Sequence, residues 1–239
     1  QCILKHDSGK GLVEPFCGAL SISLGLSPIN ALLNDANPHA INFYHQLQTG
    51  LQVRIPMAND RELYTAHRLE FNACIERGRF RTKKAAALFY YLNRTGYNGL
   101  CRFNKRGLFN VPFGRYGNIN YTYDFRPYRD VLANWEFSDH DFESVTVEDT
   151  DFIYADPPYD VEFRQYTGQG FDWEDQVRLA NWLAAHRGPV VASNQATARI
   201  CALYNDLGFK VSTVKAPRMI NSSGDRTPAL EIIATRGIP

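Results

Sequence analysis

Residues Ala155-Asp156-Pro157-Pro158-Tyr159 (ADPPY) follow a short apolar run, Asp151–Tyr154, which predicts a buried β-strand. The two prolines have restricted φ angles and no backbone N–H, so they end the strand and leave stiff carbonyl acceptors behind it. A residue before proline is kept out of the helical region, which holds Asp156 extended at the strand tip. Open α/β sheets bind ligands at that end of their strands. The motif therefore predicts a site for a flat group that carries an amine, with a plain proline turn as the alternative.

Length and composition are those of an ordinary globular protein. The chain has 239 residues, of which 44% are hydrophobic and 21% charged. It has no apolar run of about 18 residues and no signal-peptide pattern, so neither membrane insertion nor secretion is indicated. Five cysteines are scattered without a C-x-x-C pair, which disfavours a zinc site or a disulfide framework. These observations predict a metal-free protein of a reducing cytoplasm.

Two further strands are predicted near the start of the chain. Gly11–Phe16 runs into a loop of small residues in which Gly18 lets the backbone approach a ligand closely. Ala31–Asp35 ends in an acid 19 residues after Phe16, a separation at which Rossmann-like folds place a carboxylate on ribose hydroxyls. An N-cap role is the alternative for Asp35. Because only one glycine stands where a dinucleotide fingerprint has three, a dehydrogenase is poorly supported.

A basic and aromatic block lies inside a chain whose formal net charge is only +1. Residues 77–123 contain ten Lys or Arg and no Asp or Glu, together with many aromatic residues. This combination is typical of a nucleic-acid surface, with a solvated face over an aromatic core as the alternative. Within the block, residues 80–93 predict a buried helix, and residues 93–116, rich in Gly and Asn, predict a shaped loop. Long ordered loops of this kind usually carry function.

The remaining patterns predict an α/β sheet. Asn37 and Pro38 have the character of the N-cap and first residue of a helix, and Asp172 with Asp175 resembles a capping box. Strands are predicted at 189–193, 209–214 and 229–235, the last two as a hairpin around residues 218–227. The order is β-α-β, a basic insertion, then β-α-β-α-β-β, which predicts a sheet with an antiparallel edge.

Four stretches, in this order, resemble the DNA adenine methyltransferase (Dam) family, which is an α-type group of amino-methyltransferases. They are EPFCGALSISL from Glu14, LLNDANPHAI from Leu32, NRTGYNGLCRFNKRGLFNVPFGRY from Asn93 and ADPPYD from Ala155. The resemblance implies a Rossmann-like S-adenosylmethionine-dependent methyltransferase sheet formed by residues 1–50 and 146–239. It also implies an inserted, mainly helical DNA target-recognition domain at residues 51–145.

The same resemblance implies a reaction and a set of site residues. A methyl group would pass from S-adenosylmethionine to the N6 amine of adenine in double-stranded DNA, within GATC, by base flipping and direct in-line transfer. The catalytic residues would be Asp156, Pro157, Pro158 and Tyr159. The cofactor would be bound by Lys10, Phe16, Gly18, Asp35 and Asp156.

The resemblance implies DNA contacts along residues 93–116, here named the recognition loop. Tyr97 and Asn98 would fill the gap that the flipped adenine leaves. Bases would be faced by Leu100, Arg102 and Pro112, with Arg102 on a guanine. Phosphates, or the loop itself, would be held by Arg94, Asn104, Arg115 and Tyr116, and Lys105 would contact phosphate.

Departures from the family pattern keep other functions open. Leu20 stands where the family usually has glycine, and His6–Lys10 replaces its Trp-Ala-Gly-Gly-Lys, so a catalytically impaired DNA-binding homologue is one alternative. A cytosine-N4 or RNA amino-methyltransferase of the same fold is another, because ADPPY does not separate amines of similar geometry. The expected location is the cytoplasm of a bacterial cell or a phage-infected host. No obligate protein partner is inferred, and the sequence does not decide whether a restriction enzyme accompanies the protein.

Overall fold

The computed structural model describes residues 11–160, 170–216 and 229–238. The chain divides into two compact units. Residues 1–36 and 134–239 form the sheet unit, and residues 37–133 form the helical unit. The helical unit spans residues 37–133, whereas the predicted target-recognition insertion spans residues 51–145.

The described residues of the sheet unit form one seven-stranded sheet with the order β3-β2-β1-β4-β5-β7-β6. Strands β1 to β5 run parallel, and β7 pairs antiparallel with β5 and β6. The predicted Rossmann-like α/β sheet with an antiparallel edge is thereby confirmed. The strands are β1 Leu12–Glu14, β2 Ala31–Asn34, β3 Trp135–Ser138, β4 Phe152–Ala155, β5 Val190–Gln195, β6 Lys210–Ala216 and β7 Ala229–Arg236.

Helices accompany the sheet and make up most of the helical unit. In chain order they are α1 Ser21–Leu26, α2 Pro38–Gln48, α3 Arg61–Glu76, α4 Lys83–Thr95, α5 Arg129–Leu132, α6 Trp173–Ala185 and α7 Ala198–Asp206. The helical unit contains α2 to α5, and the sheet unit contains the others. The turn predicted around residues 218–227 lies outside the described residues.

Side-chain caps set the predicted helix starts. The Asn37 side chain accepts from the backbone N–H of His39, with Pro38 as the first helical residue of α2. Asp172 and Asp175 form a reciprocal capping box at the start of α6. Thr82 caps α4, so this helix begins at Lys83 and not at residue 80. Each cap satisfies an N–H that has no partner within its helix.

Two packing interactions explain where the units divide. The strand β3 was not predicted, because only Trp135 and Phe137 mark its inward face, yet it pairs along its whole length with β2. The helix α2 belongs to the helical unit because it packs on α4. There, Asn42 Nδ2 donates to the Thr82 carbonyl at 3.1 Å, and the Phe43 and Tyr90 rings stack at 5.6 Å.

Asn34, the last residue of β2, joins the carboxyl ends of neighbouring strands. Its side chain is almost fully buried, with the residue 1% exposed. Its Nδ2 donates to the carbonyls of Pro15 and His140 at 3.0 Å each. Its Oδ1 accepts from Ser138 Oγ at 2.8 Å and from the His140 N–H at 3.0 Å. All four hydrogen-bonding positions of the amide are therefore used, and they tie together the segments that follow β1 and β3.

We expect Asn34→Ala to lower the free energy of unfolding by roughly 2–4 kcal/mol, because it leaves backbone groups of Pro15 and His140 without partners. Denaturant unfolding of the whole chain measures the change. Asn205→Ala, at an exposed position of α7, is the matched control and should change stability by less than about 0.5 kcal/mol. Equal stability of the two variants would contradict this account of the strand ends.

Candidate active site and nucleic-acid surface

Three of the predicted site segments directly follow neighbouring parallel strands. The loop Phe16–Gly18 follows β1, Asp35 follows β2, and Asp156 follows β4. Because β1 pairs with both β2 and β4, these segments lie at one edge of the sheet, at the point where the strand order reverses. The Gly18 N–H donates to Asp35 Oδ2 at 3.0 Å and links two of them. Lys10, the other predicted cofactor residue, lies outside the described residues.

Leu20 lies at a turn position where the Dam family pattern usually has glycine. Its backbone is left-handed, with φ 59° and ψ 24°, a conformation that costs an L-residue about 1–2 kcal/mol. The side chain is buried, at 2% exposure, so apolar burial offsets this cost. The β1–α1 turn is therefore built without glycine at position 20, while Gly18 supplies another positive φ of 47°.

Glu14 places a buried carboxyl group beneath the same edge. It ends β1, is 2% exposed, and accepts a hydrogen bond from Ser23 Oγ. The pKa of Glu14 is raised to about 7, chiefly by burial and to a lesser extent by the charge of Asp156, against the lowering effect of the Ser23 bonds. The sequence patterns did not single out Glu14. The available signal was an acid at a position whose neighbours predict a buried strand.

Asp156 is exposed, and its carboxylate is oriented from the next strand. The hydroxyl of Ser193, a buried residue of β5, donates to Asp156 Oδ1 at 2.6 Å. Tyr159 is half-buried, and burial raises the pKa of its phenol, which therefore stays protonated at neutral pH. Its hydroxyl donates to Glu231 Oε2 on β7 at 3.3 Å. Two strands thus fix the side chains at the two ends of the DPPY tetrapeptide.

Two buried amides hold the backbone of this motif. Gln176 Nε2 on α6 donates to the Pro158 carbonyl at 2.8 Å. Asn194 on β5 donates from Nδ2 to Gln176 Oε1 at 2.9 Å and accepts the Asp160 N–H at Oδ1, at 3.1 Å. The chain is therefore pinned on both sides of Tyr159. Gln176 and Asn194 were not predicted from the sequence, and Asn194 lies just beyond the predicted strand at residues 189–193.

The end of the motif is anchored by Asp160, which is 7% exposed. Its carboxylate accepts from Thr197 Oγ1 at 3.0 Å and from Arg199 Nε at 2.6 Å. The Arg199 guanidinium also lies over the Trp173 ring, 4.5 Å from its centroid. By contrast, no group within residues 11–160, 170–216 and 229–238 donates to the Pro157 carbonyl, which stays available as an acceptor.

In the helical unit, the predicted DNA-contacting residues follow the surface of one loop. The residues buried beneath it are Phe109, Val111 and Gly114. Asn98 is half-buried and has a left-handed backbone, with φ 54°. The exposed residues are Arg94, Tyr97, Leu100, Arg102, Asn104, Lys105, Pro112, Arg115 and Tyr116. The loop therefore presents charged, aromatic and apolar side chains outward while its own anchors face the core.

One face of α3 anchors this recognition loop. Tyr64 Oη donates to the Val111 carbonyl at 2.9 Å, and Arg68 Nη1 donates to the same oxygen at 3.2 Å. Asn72 exchanges two hydrogen bonds with the backbone of Phe109, at 2.8 and 3.1 Å. These three helix residues are spaced four apart, so they line one face. The helix therefore sets the conformation of the loop before any ligand binds.

The two ends of the loop approach each other closely. The Tyr97 N–H donates to the Pro112 carbonyl, and the Gly114 N–H donates to the Thr95 carbonyl, both at 2.9 Å. A Cβ at Gly114 would lie 2.8 Å from the Gly96 carbonyl oxygen, so only glycine fits there. A hollow of about 320 Å³ opens beside this contact and is lined by Tyr97, Asn98, Phe113, Gly114, Arg115 and Tyr116.

Two loop residues have different environments. The Arg102 guanidinium is held by Asn110, with Nε donating to Oδ1 at 2.8 Å and Nη2 donating to the carbonyl at 3.1 Å. Asn104 instead supports the loop itself, because its Oδ1 accepts from the N–H groups of Arg106 and Leu108 at 2.9 and 3.1 Å. Arg102 is thus presented outward, and Asn104 closes the loop tip.

The chain is similar in sequence to known proteins. Residues 1–220 match the family described as D12 class N6 adenine-specific DNA methyltransferase. The chain belongs to this family. It is 35% identical to the retron Ec67 DNA adenine methylase of Escherichia coli, over 98% of this chain and 85% of that protein. It is 36% identical to a DNA adenine methylase of Vibrio cholerae, over 89% and 82%. It is 34% identical to a DNA N-6-adenine-methyltransferase of Escherichia phage P1, over 91% and 31%.

Membership confirms the predicted family and the predicted enzyme class, an adenine-specific DNA methyltransferase. Such an enzyme needs a methyl donor and acts on DNA. In the part of the chain that the structure describes, no helix has the length and apolar character to cross a bilayer. The same residues contain no group of three His, Cys, Asp or Glu side chains placed to hold a metal ion.

The raised pKa of Glu14 predicts that the stability of this D12 methyltransferase depends on pH. Its folded pKa of about 7 lies above the ordinary 4.5, so the folded state holds this proton more tightly than the unfolded state. The resulting stabilisation is present below pH 4.5 and is lost as pH rises toward and through 7, by roughly 3–4 kcal/mol in all. We expect Glu14→Gln, which keeps an acceptor for Ser23, to remove this loss.

The measurement is denaturant unfolding of both proteins at pH 5 and pH 8, because the difference between them cancels other titrating groups. The variant should gain stability relative to the natural chain between the two pH values. Glu136→Gln, at an exposed position of β3, serves as the control. A difference that does not change with pH would show that Glu14 titrates normally.

Proposed function

We propose that this methyltransferase transfers a methyl group from S-adenosylmethionine to the N6 amine of adenine in duplex DNA, within GATC. The observation that carries the proposal is the edge shared by β2, β1 and β4, where an acid, a small-residue loop and ADPPY follow adjacent strands. Relatives named DNA adenine methylase support adenine as the acceptor. The likeness of residues 93–116 to the loop of GATC readers supports that site.

The groups at this edge fit S-adenosylmethionine. The Asp35 carboxylate can accept from two ribose hydroxyls, and its bond to the Gly18 N–H orients it. Phe16 is half-buried against the edge of the Phe171 ring, at 5.4 Å, and offers an apolar face to the methionine part. Lys10 is proposed to lie on the other side of the cofactor. When bound, the cofactor supplies a methyl group activated by a sulfonium centre.

The acceptor side of the reaction uses oxygen atoms of ADPPY. Ser193 engages Asp156 Oδ1, so we assign Asp156 Oδ2 and the Pro157 carbonyl to the two hydrogens of the N6 amine. Accepting both hydrogens draws the nitrogen toward sp³ character and exposes its lone pair. The Asp156 carboxylate would stabilise the positive charge that develops on the amine as the N–C bond forms and the methyl–sulfur bond breaks to leave a thioether. The methylated amine would then lose one proton to solvent. The adenine ring would stack on Tyr159, and Pro158 keeps the motif rigid.

The target base must first leave the duplex, because its amine is paired there. We propose that Tyr97, 48% exposed, and Asn98 fill the gap in the stack. Leu100 and Pro112 would contact base edges, and the Arg102 fork would pair with guanine O6 and N7. Phosphates would be bound by Arg94, Lys105, Arg115 and Tyr116. The organisms of the relatives support the cytoplasm of a bacterial or phage-infected cell as the place of action.

The proposal is tested with a plasmid that is exposed to the protein and S-adenosylmethionine and then sequenced with a modification-sensitive readout. We expect N6-methyladenine confined to GATC. Asp156→Ala should lower kcat by at least about 10²–10³-fold, because it removes an acceptor that stabilises the transition state, while DNA and cofactor binding stay measurable.

Asp206→Ala, at an exposed position near the end of α7, is the matched control and should keep full activity. Methylated cytosine, or methyladenine outside GATC, would contradict the assigned substrate. Normal turnover by the Asp156 variant would remove this carboxylate from the catalytic site.

Substitution of Arg102 tests the base-reading role. Arg102→Ala should relax the preference at one position of the site by roughly 1–3 kcal/mol, because a bidentate contact to guanine is lost. The measurement is kcat/KM on GATC duplexes and on duplexes with each single-base change. Arg187→Ala, at an exposed position of the sheet unit, should leave all ratios unchanged. Uniform weakening on every duplex would instead identify Arg102 as a phosphate contact.

A further inference from the structure

A second basic surface lies in the helical unit, outside the recognition loop. It consists of the connection between α3 and α4 together with the first two residues of α4, residues Arg77–Lys84 with the sequence RGRFRTKK, and is here named the basic turn. Five of its eight residues are cationic, and all five are exposed. The DNA contacts proposed above all lie between Arg94 and Tyr116, so none of them uses this turn.

Nearby carboxylates neutralise only part of this charge. Lys84 forms an ion pair with Glu70, and Glu76 forms one with Arg106 of the recognition loop, at 3.0 Å. Within residues 11–160, 170–216 and 229–238, three cations of the turn have no carboxylate at ion-pair distance. They are Arg77, Arg79 and Lys83.

Aromatic packing holds the basic turn beside the recognition loop. The buried ring of His39 stacks on Phe103 of the loop, with centroids 4.9 Å apart and planes at 23°. The same ring meets Phe80 of the turn at 5.2 Å. The pKa of His39 is lowered to about 4, chiefly by burial and to a lesser extent by the charge of Arg81, so the imidazole is neutral between these rings at physiological pH. The His39 ring therefore packs against both the basic turn and the recognition loop.

The resulting surface is longer than the proposed recognition site. The basic turn leads into α4, whose 13 residues span about 20 Å at 1.5 Å per residue. Tyr97 lies just beyond the other end of this helix. Four stacked base pairs extend over only about 14 Å of duplex. Cations at the basic turn are therefore far enough from Tyr97 to meet backbone beyond the four base pairs.

We propose that the basic turn binds phosphates of duplex DNA that flank the recognised site. The proposal rests on the proposed function, in which the neighbouring loop reads duplex DNA. Charge complementarity selects the partner, because exposed cations on long flexible stems match a regular row of phosphates. Phosphate contacts carry no base information, so the turn would strengthen binding to long duplexes and leave the choice of sequence unchanged.

The test compares the natural chain with the variant Arg77→Gln/Arg79→Gln/Lys83→Gln on GATC duplexes of about 8 and about 24 base pairs. Equilibrium binding is measured over a range of salt concentrations. Loss of three phosphate contacts should make the slope of log K against log [salt] for the long duplex less negative by about 2–3. The short duplex should show little change, and the ratio of binding to GATC and scrambled long duplexes should be unchanged.

A matched variant controls for net charge. Arg187→Gln/Lys210→Gln/Lys215→Gln removes three exposed cations from the sheet unit and should leave the slope close to that of the natural chain. An unchanged slope in the basic-turn variant would overturn the proposal, as would an equal change on short and long duplexes or in both variants. A lost preference for GATC would also overturn it, because the turn would then read bases.

This outcome is separable from that of the proposed function. Methylation of GATC by the natural chain tests the reaction, whereas the salt slopes depend on binding alone. A chain that binds long duplexes with the expected slope difference but methylates no GATC would retain the basic-turn contact and lose the proposed reaction. Methylation of GATC without the expected slope difference would support the proposed reaction and contradict the basic-turn contact.

Discussion

The hydrogen bonding of β1 to β2 on one side and β4 on the other is the constraint on which the candidate active site depends. The strand β1 has only three residues, all buried, and its register places Leu12 beside both Ala31 and Phe152. A slip of one residue would shift the following loop by about 3.3 Å and turn its side chains to the other face. The bonds made by Asn34 and the Gly18–Asp35 bond lock this register at the end where the site lies.

The ADPPY motif adds a second constraint, because prolines alone do not fix the direction of its carbonyls. Gln176 takes the Pro158 carbonyl and is itself held by Asn194. With that carbonyl engaged, the Pro157 carbonyl beside Asp156 is an acceptor that no donor of the described residues occupies. A chain of fully paired amides in a buried setting resists rearrangement, since breaking any member leaves another polar group unsatisfied. The Pro158 carbonyl is thereby positioned by uncharged amide side chains.

Local signals explain what the sequence predicted. The helix caps and apolar strand runs involve residues that are close in the chain, so they can be recognised without the tertiary structure. Examples are the caps at Asn37 and Asp172 and the strands β1, β2 and β4. The strand β3 has two inward residues and no further periodicity, and the unit boundaries follow from its pairing with β2. The helix α2 likewise reveals its partner only through the Phe43–Tyr90 contact.

The support of the site depends on contacts between distant residues. Ser193 lies 37 residues from Asp156, and Asn194 lies 18 from Gln176, so neither pair leaves a local pattern. Leu20 marks the opposite case. The family resemblance predicts a glycine there, and the structure keeps the left-handed turn that glycine would favour while burying leucine in the core. The sequence showed only the departure from glycine, whereas the left-handed backbone and the packing that accommodates leucine are seen in the structure.

The helical unit uses different residues for base discrimination and for attraction to phosphates, although the net charge of the chain is small. Arg102 is held in a fixed fork by Asn110, so it loses little side-chain freedom when it pairs with a base, and a misplaced base meets a rigid donor pattern. The cations of the basic turn are exposed on mobile stems and suit a charge that repeats along the duplex. Rigid contacts favour discrimination, whereas solvated cations favour long-range attraction that depends on salt. Because His39 joins the two surfaces through neutral ring contacts, their positions are coupled while their electrostatic roles stay distinct.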